Sequence, residues 1–392
     1  MSGARLARRA TNLRPGVFAA LEQRLARAAR EGQALVPFHI GDTYVAPPPA
    51  ATAALTELDP AVHRYGPTAG LATLREGLAA YVAARRGLEG TSPREVLVGA
   101  GGTHALHCAA SVLLDPGDEV LLLAPYWPLA PGVFEAQGAA CVEVPVDLYA
   151  EPQRSLRLRL EAARTDRTRA VYFVSPNNPD GKVLGAAHLG ELLAFAEDND
   201  LWLFADEVYA DVTYDVPHTS LGVLAGARAR AVLLYSFSKS FALAGQRVGF
   251  AVAPEQVVAA ALRVGMHTVF NVPLSSQRAA LAALAAPDDF LAPTLAAYRA
   301  TRDAAAAALA REGVECTLPE GGVYFFLELG GFLRGRDLSA LLLHGVDHGV
   351  LLAPGEAFGR AFGTRARLCF TSAPHEATLD GIAALGRALR SF

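Results

Sequence analysis

Between Ser236 and Gly249 the chain reads S-F-S-K-S-F-A-L-A-G-Q-R-V-G. Lys239 follows directly on the apolar run 231–235, and Arg247 stands eight residues further on. A lysine at the mouth of a buried strand is uncommon, because burial penalises its charge. Alone it has two readings: a solvated strand-end lysine, or an amine of lowered pKa that can form a Schiff base with an aldehyde. The ends of the other apolar runs bear on the choice. GAGGTHAL (99–106) is a glycine loop entering a helix-length segment whose first N–H groups can hold a phosphate. It fits G-x-G-x-x-G only in part, since His104 occupies the last glycine position, which argues against a dinucleotide site. APYWPLAP (124–131) offers Tyr126 and Trp127 for ring stacking or for plain packing. SPNNPDGK (175–182) is a turn with Asn177 and Asn178. ADEVYADV (205–212) sets Asp206 and Tyr209 at a strand mouth, where an acid can also be a helix cap.

Positioning such residues takes a sheet. Apolar runs at 96–99, 119–124, 140–146, 170–174, 201–205, 231–235 and 248–253 are mostly separated by helix-length segments. Continuous apolar runs predict strands buried on both faces, hence a mainly parallel sheet between helices, an α/β fold. The last two runs lie close together, so one of them is expected to be antiparallel. Ligands of such sheets bind at the carboxyl ends of the strands. Residues 16–31 predict an amphipathic helix with Phe18, Leu21 and Leu25 on one face. Residues 39–49 are irregular, and the loop 63–70 leads into a helix over 71–87. Beyond about residue 280, alanine-rich helices and the segments TLPEGGVYFFLEL, VLLAPGEAFG and ARLCFTS predict a smaller α+β domain. The expected division is 1–44 as the N-terminal part of the small domain, 45–280 as the large cofactor-binding domain and 281–392 as the C-terminal small domain.

Composition narrows the class. With 392 residues, 52% of them apolar, the chain can bury a large core. A net charge of −4 gives no basic field for nucleic acid or anionic lipid. Cys108, Cys141, Cys316 and Cys369 form no C-x-x-C, which fits a reduced cytoplasmic protein. The arginine-rich first ten residues are followed by Glu22 and Glu31, unlike a transit peptide. Residues 96–114 carry no formal charge, but three glycines, His104 and His107 make them a strand, a turn and a buried helix rather than a membrane span. His344 and His348 are four apart; Gly345 and Gly349 disfavour the helix that would pair them, and no metal is expected.

A lysine for an aldehyde, an acid for a pyridine nitrogen, an aromatic for ring stacking and a Gly–Thr–Ser–Arg set for a phosphate together describe pyridoxal phosphate. The motifs S-P-N-N-P-x-G, D-E-x-Y, S-x-S-K with an arginine eight residues on, and R-L-x-F stand in this order within residues 41–372. With them the chain resembles the class I/II (fold type I) aminotransferases of the aspartate aminotransferase superfamily. The resemblance implies a large domain with a seven-stranded, mainly parallel sheet, and a small domain made of both chain termini. It implies that Lys239 is the Schiff-base lysine and proton shuttle, that Asp206 partners the pyridine nitrogen, and that Asn178 and Tyr209 bond the phenolic oxygen. Trp127 matches the stacking position; Gly101, Gly102, Thr103, Ser236, Ser238 and Arg247 match the phosphate cup. Tyr65 matches a tyrosine that reaches a neighbouring subunit's phosphate, which implies a homodimer with shared sites. Arg367 matches the clamp on the substrate α-carboxylate, which Gly41 and Asn178 also contact. The chain departs from the pattern twice, with G-D-T-Y at Gly41 in place of G-x-P-D and R-L-C-F at Arg367 in place of R-x-S-Y.

The activity so implied moves the amino group of an L-α-amino acid to a 2-oxo acid. A pyridoxal-phosphate-dependent C–S β-lyase or related elimination enzyme of the same fold shares these motifs and is the alternative. A cofactor-binding regulator is expected to carry a DNA-binding extension, for which there is no room before Gly41. No arginine lies between Arg263 and Arg278, where aspartate-specific members of one subgroup carry a second carboxylate clamp. With Tyr44, Trp127 and Phe270 expected to line the pocket, the expected donor is a neutral, apolar or aromatic amino acid, with glutamate or 2-oxoglutarate at most a co-substrate.

Overall fold

A computed structural model describes residues 30, 32–57, 60–151 and 154–392. The helix expected over 16–31 lies outside the described residues, residue 30 apart. Each apolar run forms a strand: β1 (Val96–Gly99), β2 (Glu119–Ala124), β3 (Ala140–Pro145), β4 (Thr168–Val174), β5 (Trp202–Asp206), β6 (Ala231–Ser236) and β7 (Gly249–Val252). The helices that lead into and link them are α1 (Pro49–Thr56), α2 (Ala72–Arg86), α3 (Gly102–Leu113), α4 (Ala130–Glu135), α5 (Leu156–Ala163), α6 (Ala186–Asp198) and the four-residue α7 (Phe237–Ser240).

The seven strands form one sheet in the order β1-β7-β6-β5-β4-β2-β3. All pairings are parallel except the two that β7 makes, with β1 and with β6. Of the two closely spaced runs, then, β7 is the antiparallel one. Two antiparallel pairings restore direction, so the carboxyl ends of β1 and β6 lie on the same edge. Alternate residues feed the two faces: Leu121, Val171, Leu203 and Leu233 join one core, Val120, Tyr172, Phe204 and Leu234 the other. Burying such a side chain contributes roughly 1.5–3 kcal/mol.

Five further helices and three strands complete the described chain: α8 (Glu255–Thr268), α9 (Leu274–Leu284), α10 (Pro287–Arg311), β8 (Tyr324–Glu328), α11 (Leu338–Asp347), β9 (Ala353–Pro354), β10 (Arg365–Cys369) and α12 (His375–Ser391). The strands pair in the order β8-β10-β9, all antiparallel, over a third core. The helix α10 serves two cores: Leu291 joins the sheet's core, and Tyr298, Ala305 and Leu309 join the third. Pro293 lies between these contacts, inside the helix. Phe38 also enters the third core, and the Cys369 and Tyr44 N–H groups donate to Phe38 O (2.8 Å) and Thr371 O (2.9 Å). These bonds lay the irregular segment 38–44 along the end of β10.

One expectation is corrected. The helix that Gly345 was expected to spoil does form, with Leu338, Leu341, Leu342 and Val346 buried along one face, and the glycine fits the close passage of the following chain: a Cβ at 345 would lie 3.3 Å from Val350 O. His344 and His348 both bond Ser391 Oγ, at 2.9 and 3.3 Å. Among the described residues no group of three or more His, Cys, Asp or Glu could hold a metal ion.

The ends of β1 and β6 meet across one residue, since Gly249 pairs with Gly99 on one side and with Ser236 on the other. A Cβ on Gly249 would lie 2.4 Å from the Gly102 nitrogen, which is backbone and cannot swing aside. Gly249→Ala is therefore expected to cost about 1–3 kcal/mol, read as a lower denaturant midpoint at unchanged slope. Gly245→Ala, where a Cβ meets nothing within 4 Å, is the control and stays near wild type.

Candidate active site

The carboxyl ends of β1, β5 and β6 open into a cavity of about 500 Å³. Lys239 projects into it from α7. Four residues are too few for a helix to persist alone, so this turn is held from outside. Ser236 caps it, its Oγ accepting from the Ser238 N–H at 3.2 Å. Phe237 stacks on Phe241 with ring centroids 5.3 Å apart. The Lys239 Nζ donates to the carbonyl oxygen of Gly41. Burial holds this amine below the ordinary lysine range, and Arg367 and Arg247 push the same way.

Asp206, at the end of β5, is only 6% exposed. Its Oδ2 accepts from the Tyr172 hydroxyl at 2.7 Å, while Oδ1 has only the distant Val208 N–H at 3.4 Å. Burial raises the carboxyl to about 6 despite these hydrogen bonds. A buried carboxylate with a free acceptor position suits a cationic N–H donor.

Arg367 comes from β10, on the other sheet, and is also 6% exposed. Its Nη1 donates to Asn178 Oδ1 at 2.9 Å and its Nη2 to His39 O at 2.6 Å. The guanidinium carbon lies 4.3 Å from the Tyr324 ring centroid and 5.0 Å from that of Phe358. Its Nε is buried without a hydrogen-bond partner, and among the described residues no carboxylate pairs with it. The His39 imidazole is held near 4 by burial and then by Arg367, so it is neutral at pH 7.

The phosphate-cup candidates converge around the glycine loop. Gly101 sits at φ 83°, and a Cβ there would lie 2.4 Å from Arg247 Nη2. Gly102 opens α3, and it, Thr103, Ser236, Ser238 and Arg247 line the cavity. Arg247 has φ 50°, a conformation costly for a non-glycine residue. Its Nη1 bonds Ala244 O at 2.9 Å, and among the described residues it has no ion pair. Lining cations thus number three (Lys239, Arg247, Arg367) against one carboxylate, Asp206. That balance fits a ligand set with a phosphate, a carboxylate and a protonated ring nitrogen, as pyridoxal phosphate with an amino acid provides.

Gly41, Trp127, Asn178 and Tyr209 also line the cavity. The Tyr209 hydroxyl bonds that of Tyr324 at 2.5 Å. Tyr65 does not line it; it is 86% exposed. Of the three side chains expected to form the substrate pocket only Trp127 does so in this chain. Tyr44 is carried past the cavity by its backbone bond to Thr371, and Phe270, at φ 63°, turns to Tyr65 with ring centroids 4.9 Å apart. His39, Ile40, Tyr324 and Phe358, which line the cavity, were not expected there. Tyr172, which bonds Asp206 from outside the lining, was not expected at the site either, although a tyrosine inside the run AVYFV needs a partner for its hydroxyl and so carries a signal. The two departures from the aminotransferase pattern touch each other: the Cys369 Sγ donates to Asp42 O at 3.5 Å, and the Thr371 hydroxyl to the same oxygen at 2.8 Å.

The family model for class I and II aminotransferases matches residues 34–384. An aspartate aminotransferase of Streptomyces avermitilis is 34% identical over 317 residues, 77% of this chain and 76% of its own. A probable aspartate/prephenate aminotransferase of Thermus aquaticus is 33% identical over 366 residues, 91% of this chain and 93% of its own. The solved aspartate aminotransferase of Thermus thermophilus with maleate superposes with a TM-score of 0.90 at 30% identity, covering 99% of this chain and 100% of that one.

The state of Asp206 yields a test that needs no turnover. Its pKa is higher folded than unfolded, so stability falls as pH rises from about 4 to 6 and the penalty stays in full above that window. A shift of this size corresponds to about 2–3 kcal/mol. In cofactor-free protein, Asp206→Asn is expected to raise stability above pH 6 by up to that amount and to leave it unchanged near pH 4. Denaturant midpoints at pH 4 and 7.5 check this.

Proposed function

The chain belongs to the class I and II aminotransferases, enzymes that use pyridoxal phosphate, and on that footing we propose how its residues divide the work. The C–S β-lyase alternative is not favoured by these similarities. When bound, the cofactor supplies an aldehyde that exchanges amines and a ring that takes up the electron pair left at the substrate Cα. The Lys239 Nζ takes the Cα proton and returns it, a task suited to an amine whose charge is disfavoured by burial. Asp206 holds the ring nitrogen protonated. Asn178 and Tyr209 bond the ring's phenolic oxygen, Trp127 covers its face, and the glycine loop with Thr103, Ser236, Ser238 and Arg247 holds the phosphate. Arg367 clamps the α-carboxylate, with Gly41 and Asn178 beside it.

One observation carries this reading: a buried guanidinium, without a counter-ion among the described residues, faces the same cavity as a half-buried lysine and a buried carboxylate. The donor is a neutral, apolar or aromatic L-α-amino acid, and the acceptor a 2-oxo acid. Support comes from Ile40, Leu129 and Phe358 in the lining and from the absence, among the described residues, of a fourth lining Lys or Arg. The small domain, drawn from 1–44 and 281–392, brings Arg367 to the large domain at 45–280. The enzyme is a homodimer in which Tyr65 completes the neighbour's phosphate site. Its exposure supports this, as does the adjacent exposed apolar group of Met266, Val269 and Phe270. A cytoplasmic setting is supported by four free cysteines.

Three outcomes are expected. Arg367→Lys loses the planar fork and raises KM for the amino acid by roughly 10–100-fold, about the 1.5–3 kcal/mol of a charged hydrogen bond. Across aspartate, alanine, methionine, leucine and phenylalanine, kcat/KM is highest for an apolar or aromatic donor; a clear preference for aspartate defeats that substrate class. Separately, Lys239→Ala chains lose turnover and borohydride-fixable cofactor, and mixing them with Tyr65→Phe chains restores part of the activity. A monomer by light scattering rules out the shared site.

A further inference from the structure

The segment after β5 faces two ways. Asp206 and Tyr209 line the cavity, while Glu207 and Asp211 are buried on its far side. Glu207 accepts from the Tyr235 hydroxyl at 2.8 Å, the Ser220 hydroxyl at 3.0 Å and the Leu221 N–H at 2.9 Å, with His218 Nε2 3.2 Å away. Asp211 Oδ2 accepts from the Tyr81 hydroxyl and the Ser240 hydroxyl, both at 2.7 Å. Its Oδ1 pairs with Arg86 Nη2 at 2.5 Å and with Arg85 Nε at 3.4 Å. Tyr235 immediately precedes Ser236, and Ser240 immediately follows Lys239. The two carboxylates therefore grip the Lys239 segment at both ends, from the same six residues that present Asp206 to the cavity.

We infer that Asp211, through Ser240, is a positioning residue for Lys239, and that Glu207, through Tyr235, steadies the opposite end. The turn carrying Lys239 is too short to fix its own backbone, and the cap at Ser236 secures only its start. The Ser240 hydroxyl, bonded to a carboxylate that two arginines hold in place, secures its end. The Asp206–Asp211 segment thus sets the separation between the carboxylate for the ring nitrogen and the amine that moves the proton. A small misplacement of a reacting group costs far more in rate than in binding.

This inference rests on the role proposed for Lys239. The variant that isolates it is Ser240→Ala, which leaves Asp211 its arginines and Tyr81. In the cofactor-loaded enzyme it is expected to lower kcat by on the order of tenfold and to leave KM for the donor within about twofold of wild type. It should also shift the pH midpoint at which the bound cofactor's visible absorbance changes. Tyr81→Phe removes a hydrogen bond from the same oxygen without touching the Lys239 turn. It is expected to lower the melting temperature while kcat and the absorbance midpoint stay put. Equal effects of the two variants on kcat and midpoint, or none from Ser240→Ala, would show that the carboxylate only stabilises the fold and overturn the proposal. Ser240→Cys, with a weak donor in nearly the same volume, covers an alanine variant that does not fold; its kcat and midpoint are judged against Tyr81→Phe in the same way. Lys239→Ala in the same series keeps the two ideas apart. Borohydride-fixable cofactor on that variant defeats the role of Lys239, whereas wild-type behaviour of Ser240→Ala defeats the brace alone.

Discussion

The site depends on drawing two cations away from water with no acid, among the described residues, to pair with either. Arg367 is buried and Lys239 half-buried, and their hydrogen-bond and ring partners are uncharged: the carbonyl oxygens of Gly41 and His39, the Asn178 amide oxygen and the faces of two aromatic rings. Desolvating a charge costs several kcal/mol even after relaxation, and dipoles and ring faces offset only part of that. The deficit is what an anionic ligand relieves. It also explains why the irregular segment at 38–44 must be pinned to β10. Two of the carbonyl oxygens that make the cations tolerable belong to that segment, and without its backbone bonds to β10 and Thr371 they would not be in reach.

The large sheet was legible because its strands are buried on both faces, so each read as an unbroken apolar run. The ends of those runs held most of the candidate residues, and those residues line one cavity. The antiparallel β7 was half legible: its short distance from β6 implied a reversal but not which strand reversed. Less legible was whatever depends on the third core. Tyr324 reads as one more aromatic in YFFLE, and only the crossing of β8 with β10 sets its ring against Arg367. His39 acts through its backbone carbonyl, which no side-chain pattern reports. Tyr44 and Phe270 had the right chemistry for a pocket wall, but one backbone hydrogen bond and one left-handed residue turn them elsewhere. The pair at His344 and His348 shows the converse, a helix that runs through a glycine because its buried leucines and valine outweigh the weak helix former.

The α10 helix has a mechanical consequence. At 1.5 Å per residue its 25 residues make a rod of about 37 Å that is rooted in the sheet's core near Leu291 and in the third core from Tyr298 onward. Pro293 falls between the two roots, and a proline there removes one rung of the hydrogen-bond ladder and crowds the carbonyl four residues back. The rod is therefore softest where it passes from one core to the other. Arg367 stands on β10, over the third core, and Lys239 just past the end of β6 of the large sheet. A few degrees of bend at this joint would change the span between the two cations while the contacts within each core stay as they are.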